Sequence, residues 1–251
     1  MSSVKACLRA LRYVINIKDN LNLIEKNICA ACARSGRGRA DVRLIVVSKN
    51  QTPEDILRAY DSGSRDFGEN RVQEMLKKIP LLPPDINWHL IGHLQRNKVK
   101  DVVGKVAMIH GVDSLRLAEE INKAAAKRGI TQDILLEVNI AMEETKHGAA
   151  PEDVSLLARR AALLPHINIR GLMCIAPYVA KGEENRPYFK RLSQLLVDIA
   201  AENIDNTNMA DFSNLSMGMT LDYTVAVEEG ATMLRIGTAV FTSYMGANER
   251  T

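Results

Sequence analysis

The residue best suited to chemistry is Lys49. It follows the apolar run Leu44-Ile45-Val46-Val47 and then Ser48, so its stem leaves the end of a buried strand. A lysine partly desolvated at such a place loses part of its preference for the charged form, and its pKa falls. The neutral amine is the form that attacks an aldehyde, so the placement suits imine chemistry. The competing reading is a solvated lysine at a strand end, and position alone favours it.

A second group of residues suits an anion. Ser216-Met-Gly218-Met219-Thr220 leads into a helical stretch whose first turn carries Asp222, and Arg235-Ile-Gly237-Thr238 follows along the chain. Glycines let backbone N–H groups approach an anion, hydroxyls donate hydrogen bonds, and a helix N-terminus is partly positive. Either glycine alone reads as a tight turn. Both segments together, with Ser216, Thr238 and Arg235, put a phosphate cradle level with that reading.

The remaining polar residues carry less. His89 is one strand-borne histidine, more often a satisfied core group than a base. Asn70 opens a helical stretch after Glu69, so a capping role competes with ligand contact. Asn97, Lys98 and Lys146 read as solvated surface. Cys29 and Cys32 form a CxxC with no second pair or nearby His pair, which reads as two residues on one helix face. No catalytic set, metal spacing, dinucleotide fingerprint, P-loop or nucleophile elbow stands out.

The elements that must position these residues alternate. Strand candidates are Arg43–Ser48, Arg65–Phe67, Asn87–Ile91, Val106–Gly111, Asp133–Asn139, Ile167–Ile175, Asn214–Met217 and Met233–Val240. Helical patterns lie between them, near 53–62, 70–78, 95–104, 114–128, 151–163, 184–203 and 221–229. Thr52 with Pro53 reads as an N-cap and first helical residue. Pro151-Glu152-Asp153 reads as a first turn, and Gly63, Gly129 and Gly230 read as C-terminal stops. Eight such βα alternations predict an α/β fold, a (β/α)8 TIM barrel with an additional N-terminal helix at about 4–33. A doubly wound sheet, which needs fewer strands, is the alternative. In a barrel the C-terminal strand ends form the working face, and the loops after strands seven and eight are its recurrent phosphate site.

Length and composition agree. A chain of 251 residues with 46% apolar and 25% charged residues suits one domain, 1–251. A net charge of +3 gives no reason to expect nucleic acid or an anionic membrane as partner. The basic run Arg34-Ser-Gly-Arg-Gly-Arg39 reads as a solvated loop. Charges at Lys5, Arg9, Arg12 and Lys18 break any early apolar run, so neither a signal peptide nor a membrane span is expected. A cytoplasmic location follows by default.

Seven ordered segments then carry a resemblance: VVSK (46–49), FGENRVQE (67–74), WHLIGHLQRNK (88–98), VNIAMEETKHG (138–148), RGLMCIAP (170–177), LSMGM (215–219) and MLRIGTAVF (233–241). The chain resembles the pyridoxal phosphate homeostasis proteins, single-domain relatives of the N-terminal barrel of alanine racemase. The resemblance implies that Lys49 holds pyridoxal 5′-phosphate (PLP) as a Schiff base. It implies phosphate contacts from Ser216, Gly218, Met219, Gly237 and Thr238, with Asn70 near the cofactor and Arg235 beside either ring or phosphate. Three positions depart from the family pattern. Asn50-Gln51 stand where Thr-Lys is frequent, Thr220 replaces a frequent Ser, and Thr242 stands where Gly commonly follows the Phe.

The resemblance further implies a PLP carrier in vitamin B6 homeostasis with little or no catalysis, a monomer or weak homodimer, with PLP-dependent apo-enzymes as conceivable recipients. The alternative is a PLP-dependent amino-acid racemase. Racemisation needs acid/base groups on both faces of the ring. Related racemases take the second from a further C-terminal domain, which is not expected here because the chain ends soon after strand eight. A third reading, a cofactor-free barrel enzyme acting on a phosphorylated metabolite, explains the glycines but not the VSK segment.

Overall fold

The computed structural model describes residues 16–202, 207–209 and 211–242. Eight strands are present: β1 (Arg43–Val47), β2 (Asp66–Glu69), β3 (Asn87–Leu90), β4 (Met108–Val112), β5 (Gln132–Val138), β6 (Ile167–Cys174), β7 (Asn214–Ser216) and β8 (Met233–Ile236). They pair in parallel in chain order, and β8 returns to β1 to close a barrel. The helices are α1 (Ile17–Arg34), α2 (Pro53–Asp61), α3 (Val72–Lys78), α4 (Val99–Val102), α5 (Leu115–Ala126), α6 (Val154–Ala161), α7 (Arg186–Ala201), α8 (Tyr223–Glu228) and α9 (Thr238–Phe241). The (β/α)8 expectation holds, and the doubly wound alternative falls because the sheet has no open edge.

Strand period decides what each side chain does. In β1, Val46 packs outward into the large core between sheet and helices, while Ile45 faces the lumen. The lumen has its own apolar plug of Ile45, Met108, Leu135, Met173 and Met233. Register slips next to β4 and β5 re-aim side chains there. Gly171 sits at φ 148°, with the Asn214 carbonyl oxygen only 2.0 Å from where a Cβ would stand, so β6 and β7 can meet this closely only over a glycine.

The local signals hold in part. Thr52 caps α2 by accepting from the Asp55 N–H at 3.3 Å, with Pro53 as the first helical residue. Gly63, Gly129 and Gly230 take positive φ after their helices. Helix α6 starts at Val154, because Pro151–Asp153 form a turn closed by the Asp153 N–H on the Ala150 carbonyl at 2.9 Å. The 95–104 pattern resolves into a 3-10 turn, Arg96–Lys98, and the short α4. Strand eight ends at Ile236, not Val240. Thr238–Phe241 is apolar enough to read as strand, but the Val240 and Phe241 N–H groups both bond the Gly237 carbonyl and wind it into α9.

Of the expected N-terminal helix, residues 17–34 are observed as α1, and 4–15 lie outside the described residues. Ile17, Leu21, Ile24, Ile28 and Ala31 recur at helical spacing and are buried, each large one contributing about 1.5–3 kcal/mol. Asn20 ties α1 to α9 through the Val240 carbonyl (2.9 Å) and the Thr242 carbonyl (2.8 Å). Arg34 pairs with Glu228 at 2.6 Å and Arg39 with Glu25 at 2.5 Å, while Arg37 donates to the Val227 and Ala231 carbonyls at 2.8 Å each. The basic run is therefore spent on clasping α1 and α8, not simply solvated as expected. Cys29 and Cys32 lie one turn apart on α1, as expected, with Cys29 exposed and Cys32 buried, and both are free thiols. Among the described residues, no helix is long and apolar enough to cross a membrane.

Candidate cofactor site

The polar residues of the barrel interior stand one lumen step beyond the apolar plug. His110 is two residues after Met108, Glu137 two after Leu135, and Arg235 two after Met233. The period of two places all three on the lumen side, toward the C-terminal mouth. Lys49 stands two lumen steps beyond Ile45, at the mouth itself, and is exposed. The expected desolvation is thus absent in the open mouth; a ligand lying over the amine would have to supply it. Among the described residues, no side chain pairs with or bonds to the Lys49 amine.

The turn carrying Lys49 is held from behind. Ser48 and Glu69 point out of the lumen, and both are fully buried. Ser48 Oγ donates to Glu69 Oε1 at 2.6 Å. Lys78 Nζ, from α3, donates to the same oxygen at 2.7 Å and to the Ser48 carbonyl at 2.9 Å. Asn50 then reverses the chain at φ 61°, a conformation that asparagine adopts readily.

A chain of hydrogen bonds crosses the lumen. Arg235 Nη1 donates to Ser216 Oγ at 2.5 Å, Ser216 meets His110 Nδ1 at 2.9 Å, His110 Nε2 meets His89 Nδ1 at 3.0 Å, and His89 Nε2 meets Asp66 at 3.0 Å. With neutral rings, the two ends fix the direction. A guanidinium only donates and a carboxylate only accepts. Ser216 therefore donates to His110 Nδ1, His110 carries its proton on Nε2, and His89 carries its own on Nε2. Both rings are neutral in this scheme. Burial above all holds His110 well below the usual histidine range. His89 is thus the satisfied core group that the sequence favoured.

Arg235 is buried, with Nη2 on the Cys174 carbonyl at 2.8 Å and no carboxylate bonded to it. Burial lowers its pKa, but a guanidinium stays charged. Glu137 is 4% exposed, and its Oε2 has no hydrogen-bond partner. Burial, then the Asp113 carboxylate, pushes its pKa up to about 7 against a lowering by Arg235. The Cys174 thiol is pushed by burial to about 12 and is inert.

The glycine segments meet as expected. Strands β7 and β8 are neighbours, and Gly237 lies over the end of β1, where a Cβ would stand 2.9 Å from the Val47 carbonyl oxygen. Gly218 takes φ 91°. Among the described residues, no acceptor takes the N–H of Gly218, Gly237 or Thr238. The Met219 N–H is spent on Asp222 Oδ1 at 2.6 Å, and Asp222 is itself held by Asn185 at 2.7 Å. Ser216 spends its hydroxyl proton on His110. Thr220 Oγ1 accepts from the Ala239 N–H at 3.3 Å, linking the β7 loop to α9. Thr242 sits at φ −114°, where glycine has no advantage, so that departure leaves the turn intact. Asn70 does not cap α3, whose N-cap is Arg71; it lies half-buried on the turn after β2. His110, Glu137, Asp66 and Lys78 carry no role in the sequence reading, although the spacing Met108–His110 and Met233–Arg235 would have placed two lumen residues one step above a plug.

The donors fit PLP: a free amine for the aldehyde, three unspent N–H groups and a buried cation for the anionic and ring groups. The family model for the alanine racemase N-terminal domain matches residues 20–245. A pyridoxal phosphate homeostasis protein from Aquifex aeolicus is 45% identical over 90% of this chain and 98% of its own. An unknown protein from Bifidobacterium adolescentis, solved as a crystal structure, is 36% identical over 90% of this chain and 94% of its own, with a TM-score of 0.85. PipY of Synechococcus elongatus, solved with PLP bound, is 34% identical over 90% of this chain and 99% of its own, with a TM-score of 0.75. This chain belongs to the pyridoxal phosphate homeostasis protein family and is built on the alanine racemase N-terminal barrel.

Proposed function

We propose that the chain, acting as one cytoplasmic barrel domain, binds PLP in its mouth and buffers or delivers it. Lys49 holds the cofactor as a Schiff base. The observation that carries this reading is a juxtaposition. Strand pairing of Val46 with Ile236 sets the strand end that carries Lys49 beside the Gly237–Thr238 turn with its unspent N–H groups. An amine and a phosphate cradle on adjacent strands match the two ends of one small aldehyde phosphate.

The residues divide the work. Gly218, Gly237 and Thr238 offer N–H groups to the phosphate, and Met219 walls the site. Ser216 fixes the guanidinium of Arg235 beneath the ligand. Asn70 borders it from β2. When bound, PLP supplies an electron sink for amino-acid chemistry. This chain's own groups bind and orient it, and the names of the relatives favour storage or delivery over turnover. PLP-dependent apo-enzymes are the recipients in this reading, and the protein works as a monomer or weak homodimer.

The test is direct. Purified protein should be yellow, and borohydride followed by peptide mapping should place the adduct on Lys49. An adduct on another lysine, or none, overturns the assignment. Rapid D/L exchange of common amino acids would replace the carrier reading by a racemase.

A further inference from the structure

The mouth has a second cluster on the side opposite Lys49. Loops after β3, β4 and β5 bring together His93, Asp113 and His147, and in an eight-stranded barrel these strands face β7, β8 and β1 across the lumen. We propose that these three side chains bind one divalent transition-metal ion of the zinc class, leaving open coordination positions at the mouth.

Three observations carry this. First, the donors converge: one ligand atom from each residue lies within 4.8 Å of the other two, and His93 Nδ1 is 3.6 Å from Asp113 Oδ2. Ligands on a tetrahedral zinc are roughly 3.4 Å apart, given bonds of about 2.0–2.2 Å. Closing the cluster takes about an ångström of movement. The two rings stack at 3.9 Å with planes 11° apart, so one ring must also turn out of the stack. Both histidines are exposed, which leaves room for that rotation.

Second, the loop bearing His147 is built rather than loose. The Ala149 N–H bonds the Glu137 carbonyl at 2.8 Å, and the Asn139 N–H returns to the Ala149 carbonyl at 2.9 Å. Asn139 also grips Glu143 through both its side-chain groups, at 2.8 and 3.2 Å. Gly148 sits at φ 115° where a Cβ would stand 2.4 Å from Asn139 N, so His147 is tied to the strand end.

Third, the donor set has the chemistry of a transition-metal site. Two imidazoles and one carboxylate suit zinc, cobalt, nickel or copper better than magnesium or calcium. Three protein ligands leave a place for water or a small anionic ligand.

Cobalt(II) titrated into the full-length protein, with and without PLP, tests the site. One equivalent should develop visible d–d bands that zinc abolishes. His147→Gln and His93→Gln should each weaken binding at least about tenfold, while His166→Gln, on the turn before β6, leaves it unchanged. His147→Gln lies on an exposed loop, and an unchanged melting curve will show that it folds. The proposal fails if no band appears, or if the His93→Gln, His147→Gln double variant binds as tightly as the parent. It also fails if an intense near-ultraviolet sulfur-to-cobalt band assigns the ion to the cysteines.

Discussion

Glu69 and Glu137 both stand at the C-terminal ends of barrel strands, both are buried, and each has a fully buried Oε2 with no hydrogen bond. They differ in what surrounds the other. Glu69 points away from the lumen and receives Lys78 and Ser48. Glu137 points into the lumen, where no side chain among the described residues donates to it. The first is a completed ion pair that fixes the Lys49 turn. The second is a carboxyl group left uncompensated by the fold, at the mouth where ligands enter. Buried charge that the protein has neutralised marks scaffold, and buried charge that it has not marks the site.

Breaking the scaffold should cost most. Lys78→Met leaves Glu69 buried without its cation, which destabilises by about 3–5 kcal/mol. Urea unfolding measures the loss, and PLP retention should fall with it because Ser48 loses its anchor. A loss under about 1 kcal/mol would show the pair to be solvated.

Glu137→Gln should act in the opposite sense, and only at high pH. The carboxyl titrates near its ordinary value when unfolded and at about 7 when folded. Below the unfolded value both states are protonated and no penalty exists. As pH rises toward 7 the unfolded state ionises first, so stability drains away and the full penalty remains above 7. That penalty is on the order of 3 kcal/mol. The variant should therefore match the parent near pH 4 and exceed it at pH 8. A pH-independent difference would assign Glu137 a packing role only.

The hydrogen-bond chain gives a smaller effect. His110→Leu strips the acceptor from Ser216 and the donor from His89, which costs about 1–3 kcal/mol by thermal or urea unfolding. Arg235 should also loosen, so PLP should bind more weakly than destabilisation alone explains. If retention is unchanged, Ser216 and the Cys174 carbonyl position Arg235 without help from His110.

Lys49 and the glycine segments could be nominated from sequence because they rest on local chemistry, an apolar strand ending in a lysine and glycines flanked by hydroxyls, and the ordered family segments raised Lys49 above the solvated reading that its position favours. The barrel was legible because periodicity and length are local. His110, Asp66 and Lys78 were not, since each owes its role to a residue on another strand or helix. His110 reaches Ser216 from 106 positions away. The end of β8 was misread for a different reason. Thr238-Ala-Val-Phe241 is strand-like in composition, and only the Gly237 carbonyl taking two N–H groups winds it into a helix.

Thr220 bears on that same turn and gives the smallest prediction. Its hydroxyl accepts from the Ala239 N–H at 3.3 Å, so it braces the β7 loop against the first turn of α9. The serine frequent in the family keeps an oxygen there, and Thr220→Ser should leave stability and PLP retention nearly unchanged. Thr220→Val keeps the shape and removes the acceptor. The cost is one hydrogen bond, about 0.5–1.5 kcal/mol. Because the neighbouring Gly237 and Thr238 N–H groups are the proposed phosphate donors, a loosened turn should raise the rate of PLP loss severalfold, beyond what the stability change predicts. Dissociation followed by absorbance after dilution separates the two. Equal rates in Thr220→Val and Thr220→Ser would mean that α9 holds its turn unaided, through Gly237 alone.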